Sequence, residues 1–347
     1  MSTGSHLTPV RGAVLGLGMI GRHHARLLQT SPAFTFAGAA DPDGDRFGAV
    51  REPDDLFPSL EALLDRGGRD HNQRPQFVVL AVPTEEHLAA ATACAAAGVH
   101  VLVEKPLAAT STEAEAIIAA CRAGGVQGAV GHVERYNPAL LELRRRVQEG
   151  QLGEVFLIAT ERVGPFPDRI RDVGVVKDLA THDLDLVRWI GGSPIDLLAA
   201  QTTHRTGRPH EDLVLVTGRL ESGVTFNNVV DWLTPTKVRR TRVLGDKGML
   251  VADTLRSDLT FFENGVLPTS GWDSEQALRG VTEGNSVRYA LTRREPILVE
   301  LEAFAAHVAG RPSDHVIVTL QEGLETVRAA EKVLESASSA EMLRVRA

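Results

Sequence analysis

VLGLGMIGRHHARLL, running from Val14 to Leu28, carries a short apolar strand into the spaced glycines Gly16, Gly18 and Gly21 and then into a helix-compatible run. Each glycine has a physical job in that G-x-G-x-x-G pattern. Gly16 allows the tight turn out of the strand, Gly18 lets the backbone approach a pyrophosphate, and Gly21 lets the helix pack close to the strand. The helix N-terminus then offers free N–H groups and a positive dipole end to phosphates. Met19 and Ile20 lie between the glycines and belong to the same expected cofactor loop. Glycine-rich turns occur in many folds, so the surroundings decide the reading. Phe36 to Ala40 is small and apolar, as a second buried strand would be, and it ends at Asp41, twenty residues past Gly21. An acid at that spacing meets the adenosine ribose hydroxyls. Pro42 follows with no immediate arginine to take a 2′-phosphate, and Arg46 is the nearest basic residue. The expected cofactor is therefore NAD, ahead of NADP.

Outward from this unit the chain alternates strand and helix. Helices are expected at Asp55–Leu64, Glu86–Ala97 and Glu113–Ala123, and strands at Phe77–Val82, Val99–Val103 and Val126–Gly131. Apolar strands alternating with helices imply a parallel sheet covered on both faces. Right-handed crossovers put all strand C-terminal ends on one edge, where open sheets bind ligands. Pro83, Thr84 and His87 follow one strand, and Glu104 and Lys105 the next. These five complete the residues expected to contact the cofactor.

After Pro138 the pattern changes. Helices at Ala139–Glu149 and Val175–Ile190 flank a strand at Val155–Thr160. Six further strands follow in series, from Leu197–Thr203 to Leu259–Phe262, and two helices close the chain at Pro296–Ala309 and Leu320–Ser336. Alternating polar and apolar residues joined by short turns read as a large, mainly antiparallel open sheet with one face buried. The expected class is α/β: a Rossmann domain at 9–132 and an α+β substrate and oligomerisation domain at 133–347, whose last helices pack back on the first. The uncovered sheet face points to a homodimer or homotetramer.

With 347 residues, 43% hydrophobic and 24% charged, the composition is that of a soluble globular protein large enough for two cores. A net charge of −8 argues against a general nucleic-acid binder. Cys94 and Cys121 sit in alanine-rich helical stretches and read as buried thiols of a cytoplasmic protein, not as a disulfide or metal pair. The first nine residues have neither a basic start nor an apolar core, and no apolar run is long enough to span a membrane.

Three segments carry chemistry. Glu104-Lys105-Pro106 puts a lysine at the cofactor edge, where it can hydrogen-bond a substrate hydroxyl and favour its deprotonation; proline fixes the backbone beside it. A solvated lysine after a strand is the plainer alternative. Asp178 and His182 share one helix face by their i, i+4 spacing. A neutral imidazole accepts the proton that an alcohol loses on hydride transfer, and a neighbouring carboxylate orients substrate or ring. A helical His paired with an acid for stability is the alternative; a zinc site is a rival without a third ligand of diagnostic spacing. Glu134, Arg135 and Asn137 follow a strand as candidate contacts to a polyhydroxylated ligand. Arg169 and Arg171 stand in a Gly/Pro-containing loop suited to phosphates, or to a mixed-charge surface with Asp168 and Asp172.

With GLGMIG, AVPTEEH from Ala81, EKP at 104–106 and DLATHD at 178–183, the chain resembles the Gfo/Idh/MocA family of NAD(P)-dependent sugar and polyol oxidoreductases over nearly its whole length. The resemblance implies the family's two-domain fold and a catalytic set of Lys105, Asp178 and His182. His182 would be the general acid/base; Lys105 and Asp178 would position and polarise the hydroxyl. GHVERYNPA, Gly131 to Ala139, is similar to the subgroup that oxidises the 3-hydroxyl of UDP-N-acetylglucosamine. The expected activity is thus dehydrogenation of a sugar or nucleotide-linked sugar. An inositol or polyol dehydrogenase, a dehydratase or hydrolase that uses bound NAD transiently, and a non-catalytic NAD(H) sensor are the alternatives.

Overall fold

The structure is a computed structural model that describes residues 8–66, 68, 72–166, 173–265 and 283–339. It divides into two compact units: residues 1–133 with 295–328, and residues 134–294 with 329–347.

The first unit is built on a six-stranded sheet of β1 (Val10–Leu15), β2 (Phe34–Ala40), β3 (Leu56–Phe57), β4 (Phe77–Leu80), β5 (His100–Glu104) and β6 (Gly128–Gly131), ordered β3-β2-β1-β4-β5-β6. All five neighbouring pairs are parallel. Strand order reverses between β1 and β4, the crevice where open sheets take ligands. The connecting helices are α1 (Gly21–Thr30), α2 (Leu60–Leu64), α3 (His87–Ala96) and α4 (Ser111–Ala123). Ala13, Val78, Leu80, Val101 and Val103 of the strands pack with Ala91, Cys94, Ile117 and Cys121 of the helices in one apolar cluster. Both cysteines are free, and burial pushes the Cys94 thiol up to about 12.

The Asp55–Leu64 segment departs from its expected helix. Pro53–Asp55 is a 3-10 turn, Leu56–Phe57 is the edge strand β3, and only Leu60–Leu64 is helical. Pro58 is the cause: the residue before a proline is forced extended, and Ser59 then caps the new helix by accepting from the Ala62 N–H.

In the second unit an eight-stranded sheet runs β14-β13-β12-β11-β7-β10-β9-β8. Its members are β7 (Val155–Pro165), β8 (Ile195–Thr203), β9 (Leu213–Leu220), β10 (Thr225–Asp231), β11 (Leu233–Gly245), β12 (Gly248–Asp253), β13 (Asp258–Asn264) and β14 (Glu283–Arg288). The β7–β10 pair is parallel and the remaining ladders are antiparallel. On one face α5 (Pro138–Gln148) and α6 (Thr181–Gly191) bury Leu140, Leu143, Leu184 and Val187 with Ile158, Phe226 and Val230. The opposite face exposes Leu197, Leu215 and Phe262.

Two more helices follow among the described residues. α7 (Pro296–Val308) belongs to the first unit, where Phe304 meets Phe77 edge-on at 5.5 Å. Residues of α8 (Leu320–Ser339) up to Arg328 belong to the first unit and those from Ala329 to the second. Among the described residues no helix is long and apolar enough to cross a membrane.

Candidate functional site

At the C-terminal edge of the parallel sheet the backbone forms a cradle. Gly16 sits at φ 88°, the left-handed region that glycine occupies without strain. A Cβ on Gly21 would lie 1.8 Å from the Gly16 carbonyl oxygen, whereas one on Gly18 would meet nothing within 4 Å. Turn, close helix packing and open space are thus divided among the three glycines as a phosphate-binding loop requires. Asp41 closes the loop from β2: its Oδ2 accepts the Leu17 N–H at 2.7 Å and its Oδ1 the Asp43 N–H at 2.9 Å. Ile20 caps α1 without a side-chain bond, and the first turn closes on backbone carbonyls, His23 N–H on Ile20 at 2.9 Å and Arg22 N–H on Gly18 at 3.3 Å, so no side chain occupies the positive end of the helix. Met19 and Ile20 are 45% and 41% exposed, two apolar side chains that a flat ligand would cover. These features fit a dinucleotide.

Next along the edge come Pro83-Thr84 after β4 and Lys105-Pro106 after Glu104, the last residue of β5. The Lys105–Pro106 peptide is cis. His87 is almost fully buried and links the two exits. Its Nδ1 lies 3.1 Å from the Pro106 carbonyl and 3.2 Å from that of Leu107, and its Nε2 lies 3.1 Å from the Val82 carbonyl. Burial holds the imidazole below its usual value, against the pull of those carbonyls and of Glu104. The ring is neutral at pH 7 and donates from one nitrogen only. His87 therefore hydrogen-bonds one exit and packs against the other, filling the space between them. Glu104 accepts from His24 Nε2 of α1 at 2.8 Å.

The second unit carries the other candidates on an irregular helix. The segment expected to be one α-helix begins as a π-helical turn, Val176–Ala180, in which the Thr181 N–H reaches back to the Val176 carbonyl before α6 takes over. Asp178 lies in that turn and His182 in the first turn of α6. Such π turns inside helices are frequent at functional sites because they aim side chains differently from a regular helix. Glu211 anchors the start: its Oε1 accepts the Val176 N–H at 3.0 Å and its carbonyl the Val175 N–H at 3.0 Å. Two buried ion pairs fix α6 from beneath. Arg162 of β7 donates to Asp183 Oδ2 at 2.8 Å and to Glu134 Oε1 at 2.9 Å. Burial pushes the Asp183 carboxyl up, against the Arg162 guanidinium. Arg135 forks onto Asp185 with bonds of 2.7 and 2.6 Å.

Among the residues expected to touch substrate, Arg135 is thus engaged inside the unit. So is Asn137, whose Oδ1 caps α5 through the Ala139 N–H at 3.0 Å and whose Nδ2 donates to the Thr254 carbonyl at 3.1 Å. Glu134 keeps one carboxylate oxygen, Oε2, with no hydrogen-bond partner among the described residues. Arg169 and Arg171 lie outside the described residues. Arg239 and Glu300 carry no role in the sequence motifs, while His24, next to His23, is expected from sequence to pack on or flank the first helix or to approach the cofactor. Arg239 of β11 bonds the Val163 carbonyl at 2.7 Å, and burial, with the charge of Arg162, pushes it down to about 10 against Asp183, Glu134 and Asp178. Glu300 carried a legible signal, a carboxylate on the apolar stripe of Ile297 and Phe304.

Residues 10–132 match the model of an oxidoreductase family with an NAD-binding Rossmann fold, and residues 140–251 match a C-terminal domain of that family. The UDP-N-acetylglucosamine 3-dehydrogenase of Acidithiobacillus ferrooxidans is 28% identical over 86% of this chain and 89% of its own. A solved structure of that enzyme superposes with a TM-score of 0.80 at 26% identity, covering 96% of this chain and 99% of the other. An inositol 2-dehydrogenase of Saccharopolyspora erythraea is 31% identical over 57% of this chain and 59% of its own. A strand order reversing at a glycine loop, a second domain built on a broad mixed sheet and matches to both domain models lead to one conclusion: this chain belongs to the Gfo/Idh/MocA family of NAD-binding oxidoreductases.

Proposed function

We propose that the protein is an NAD-dependent dehydrogenase that oxidises the 3-hydroxyl of UDP-N-acetylglucosamine or of a closely related nucleotide-linked sugar. The reading is carried by the likeness to the Acidithiobacillus enzyme along most of both chains, together with the presence of Lys105, Asp178 and His182 in this sequence. The glycine loop and the α1 N-terminus hold the pyrophosphate, Asp41 the adenosine ribose, and Met19 and Ile20 cover the dinucleotide. NAD, when bound, supplies the hydride acceptor. Lys105 and Asp178 orient and polarise the substrate hydroxyl, and His182 takes its proton as the carbon is oxidised. Arg169 and Arg171 serve the diphosphate as bidentate donors. Arg135 and Asn137 act indirectly, by holding α5 and α6 in place.

An inositol dehydrogenase is the second reading, favoured by the Saccharopolyspora relative. The deciding experiment measures kcat/KM for NADH formation with UDP-N-acetylglucosamine, UDP-glucose, free sugars, sugar phosphates and inositols, NADP being run beside NAD. Preference for the UDP-sugar by about a hundredfold or more supports the first reading. Preference for a free polyol supports the second. Tight NAD binding without turnover on any substrate would leave a sensor or a bound-cofactor enzyme. Leu197, Leu215 and Phe262 on the uncovered sheet face suit a homo-oligomer.

A further inference from the structure

Three ionisable side chains from three elements meet beside Lys105, inside the first unit. His24 comes from α1, Glu104 from the end of β5 and Glu300 from α7. One nitrogen or oxygen of each lies within 4.8 Å of those of both others. His24 is fully buried and Glu300 is 1% exposed. Glu104 is held at both oxygens: Oε1 accepts from His24 Nε2 at 2.8 Å, and Oε2 accepts from the Lys105 backbone N–H at 3.2 Å. A carboxylate only accepts, so His24 Nε2 carries the ring proton in this pair. Neither oxygen of Glu300 has a hydrogen-bond partner among the described residues.

Glu300 is buried and Glu104 half-buried, and ionising both carboxyls this close is costly, because each loses hydration and repels the other. Their surroundings say which one keeps the proton. Burial pushes the Glu104 carboxyl up, but the bond and charge of His24 and the charge of Lys105 outweigh it and hold Glu104 below the usual range. Burial, then the charge of Glu104, pushes Glu300 well above it. Paired carboxyls driven apart in this way take separate roles, one charged and one neutral.

We propose that Glu300 is a neutral carboxylic acid which, with His24, holds the ionised Glu104 in place, so that Glu104 fixes the Lys105 backbone. Glu300 and His24 are thus positioning residues for Lys105, and the inference rests on the reading of Lys105 given above. Its linkage signature is distinct. Above the ordinary carboxylate value of 4.5 the unfolded chain releases the Glu300 proton while the native chain keeps it. The native state then binds one proton more, so stability falls as pH rises, until the raised native value is passed. The contribution is complete below the ordinary value and is lost upward through that window. His24 and Glu104 are the ionisable groups that meet Glu300, and both are present in each of the two proteins compared below.

The test compares the full-length wild type with Glu300→Gln, which keeps shape and neutrality. Amide hydrogen exchange of β1, β4 and β5 reports opening of this unit. The ratio of wild-type to variant opening constants should rise with pH above the ordinary carboxylate value, by up to about tenfold per pH unit, until the raised native value is passed. Difference infrared spectra at neutral pH should show a protonated-carboxyl carbonyl band in the wild type that the variant lacks. A flat ratio with no such band overturns the proposal, as does a stoichiometric divalent cation found in the wild type and lost in the variant. For positioning, Glu300→Ala should lower kcat by about tenfold to a hundredfold with the KM for NAD unchanged, and Glu300→Gln should restore it. Unchanged kcat in Glu300→Ala, alongside a large loss in Lys105→Met, overturns the positioning role. If Lys105→Met is also unchanged, the reading of Lys105 is what fails, while the protonation result stands by itself.

Discussion

Replacing Arg135 with methionine separates a framework role from a substrate-binding one. The guanidinium forks onto Asp185 through bonds of 2.7 and 2.6 Å, and the two side chains are 7% and 2% exposed. It also lies 5.8 Å from the centre of the Trp189 ring. Methionine fills much of the volume but removes the counter-ion from a carboxylate that water barely reaches. Breaking a buried pair by deleting one partner costs about 3–5 kcal/mol, whereas replacing both partners by apolar groups is often close to neutral. Arg135→Met should therefore lose about 3–5 kcal/mol, and Arg135→Met/Asp185→Leu should return to within about 1–2 kcal/mol of the wild type. Urea unfolding followed by tryptophan fluorescence is the assay, because Trp189, Trp232 and Trp272 all fall in residues 134–294 and so report on the second unit. With a urea slope of about 2 kcal/mol per molar, the single variant's midpoint falls by about 2 M. A loss below about 1 kcal/mol combined with a large rise in substrate KM would refute this reasoning and return Arg135 to the substrate.

Gly18→Ala should keep stability within about 0.5 kcal/mol, since its Cβ meets no protein atom, yet weaken NAD binding by about tenfold or more in a fluorescence titration. Gly21→Ala, with its Cβ driven onto the Gly16 carbonyl, should cost about 3 kcal/mol or more of thermal or urea stability. Lys105→Met and His182→Ala should each lower kcat by about a hundredfold or more while NAD affinity, read by calorimetry, stays within about twofold. Cys94, buried with its thiol pushed up to about 12, should stay unmodified by a thiol reagent at pH 8 until the protein is unfolded; rapid labelling of the native protein would contradict that burial.

The dinucleotide half was readable because its chemistry is written locally. Gly16, Gly18, Gly21 and Asp41 stand at fixed spacings, and the structure joins them through the Asp41–Leu17 bond. Period-two alternation likewise located β9 to within its observed ends, Leu213–Leu220. Pairs formed across long stretches of chain left no such trace. The Arg135–Asp185 fork spans fifty residues, and in sequence Arg135 looks as free as any arginine after a strand. The π turn at Val176–Ala180 keeps the composition of an ordinary helix, and its start depends on Glu211, far along the chain. His24 and Glu300 show the same limit. One lies on the first helix and the other on α7, and only the folded unit brings both to Glu104.

Deuterium transfer tests the central claim most directly. UDP-N-acetylglucosamine labelled with deuterium at C3 is incubated with NAD and the full-length protein, and the nicotinamide product is examined by mass spectrometry. The account predicts NADH carrying one deuterium, formed with a primary isotope effect and abolished in His182→Ala. Unlabelled nicotinamide and unchanged sugar, under conditions where NAD binding is demonstrated, would contradict it.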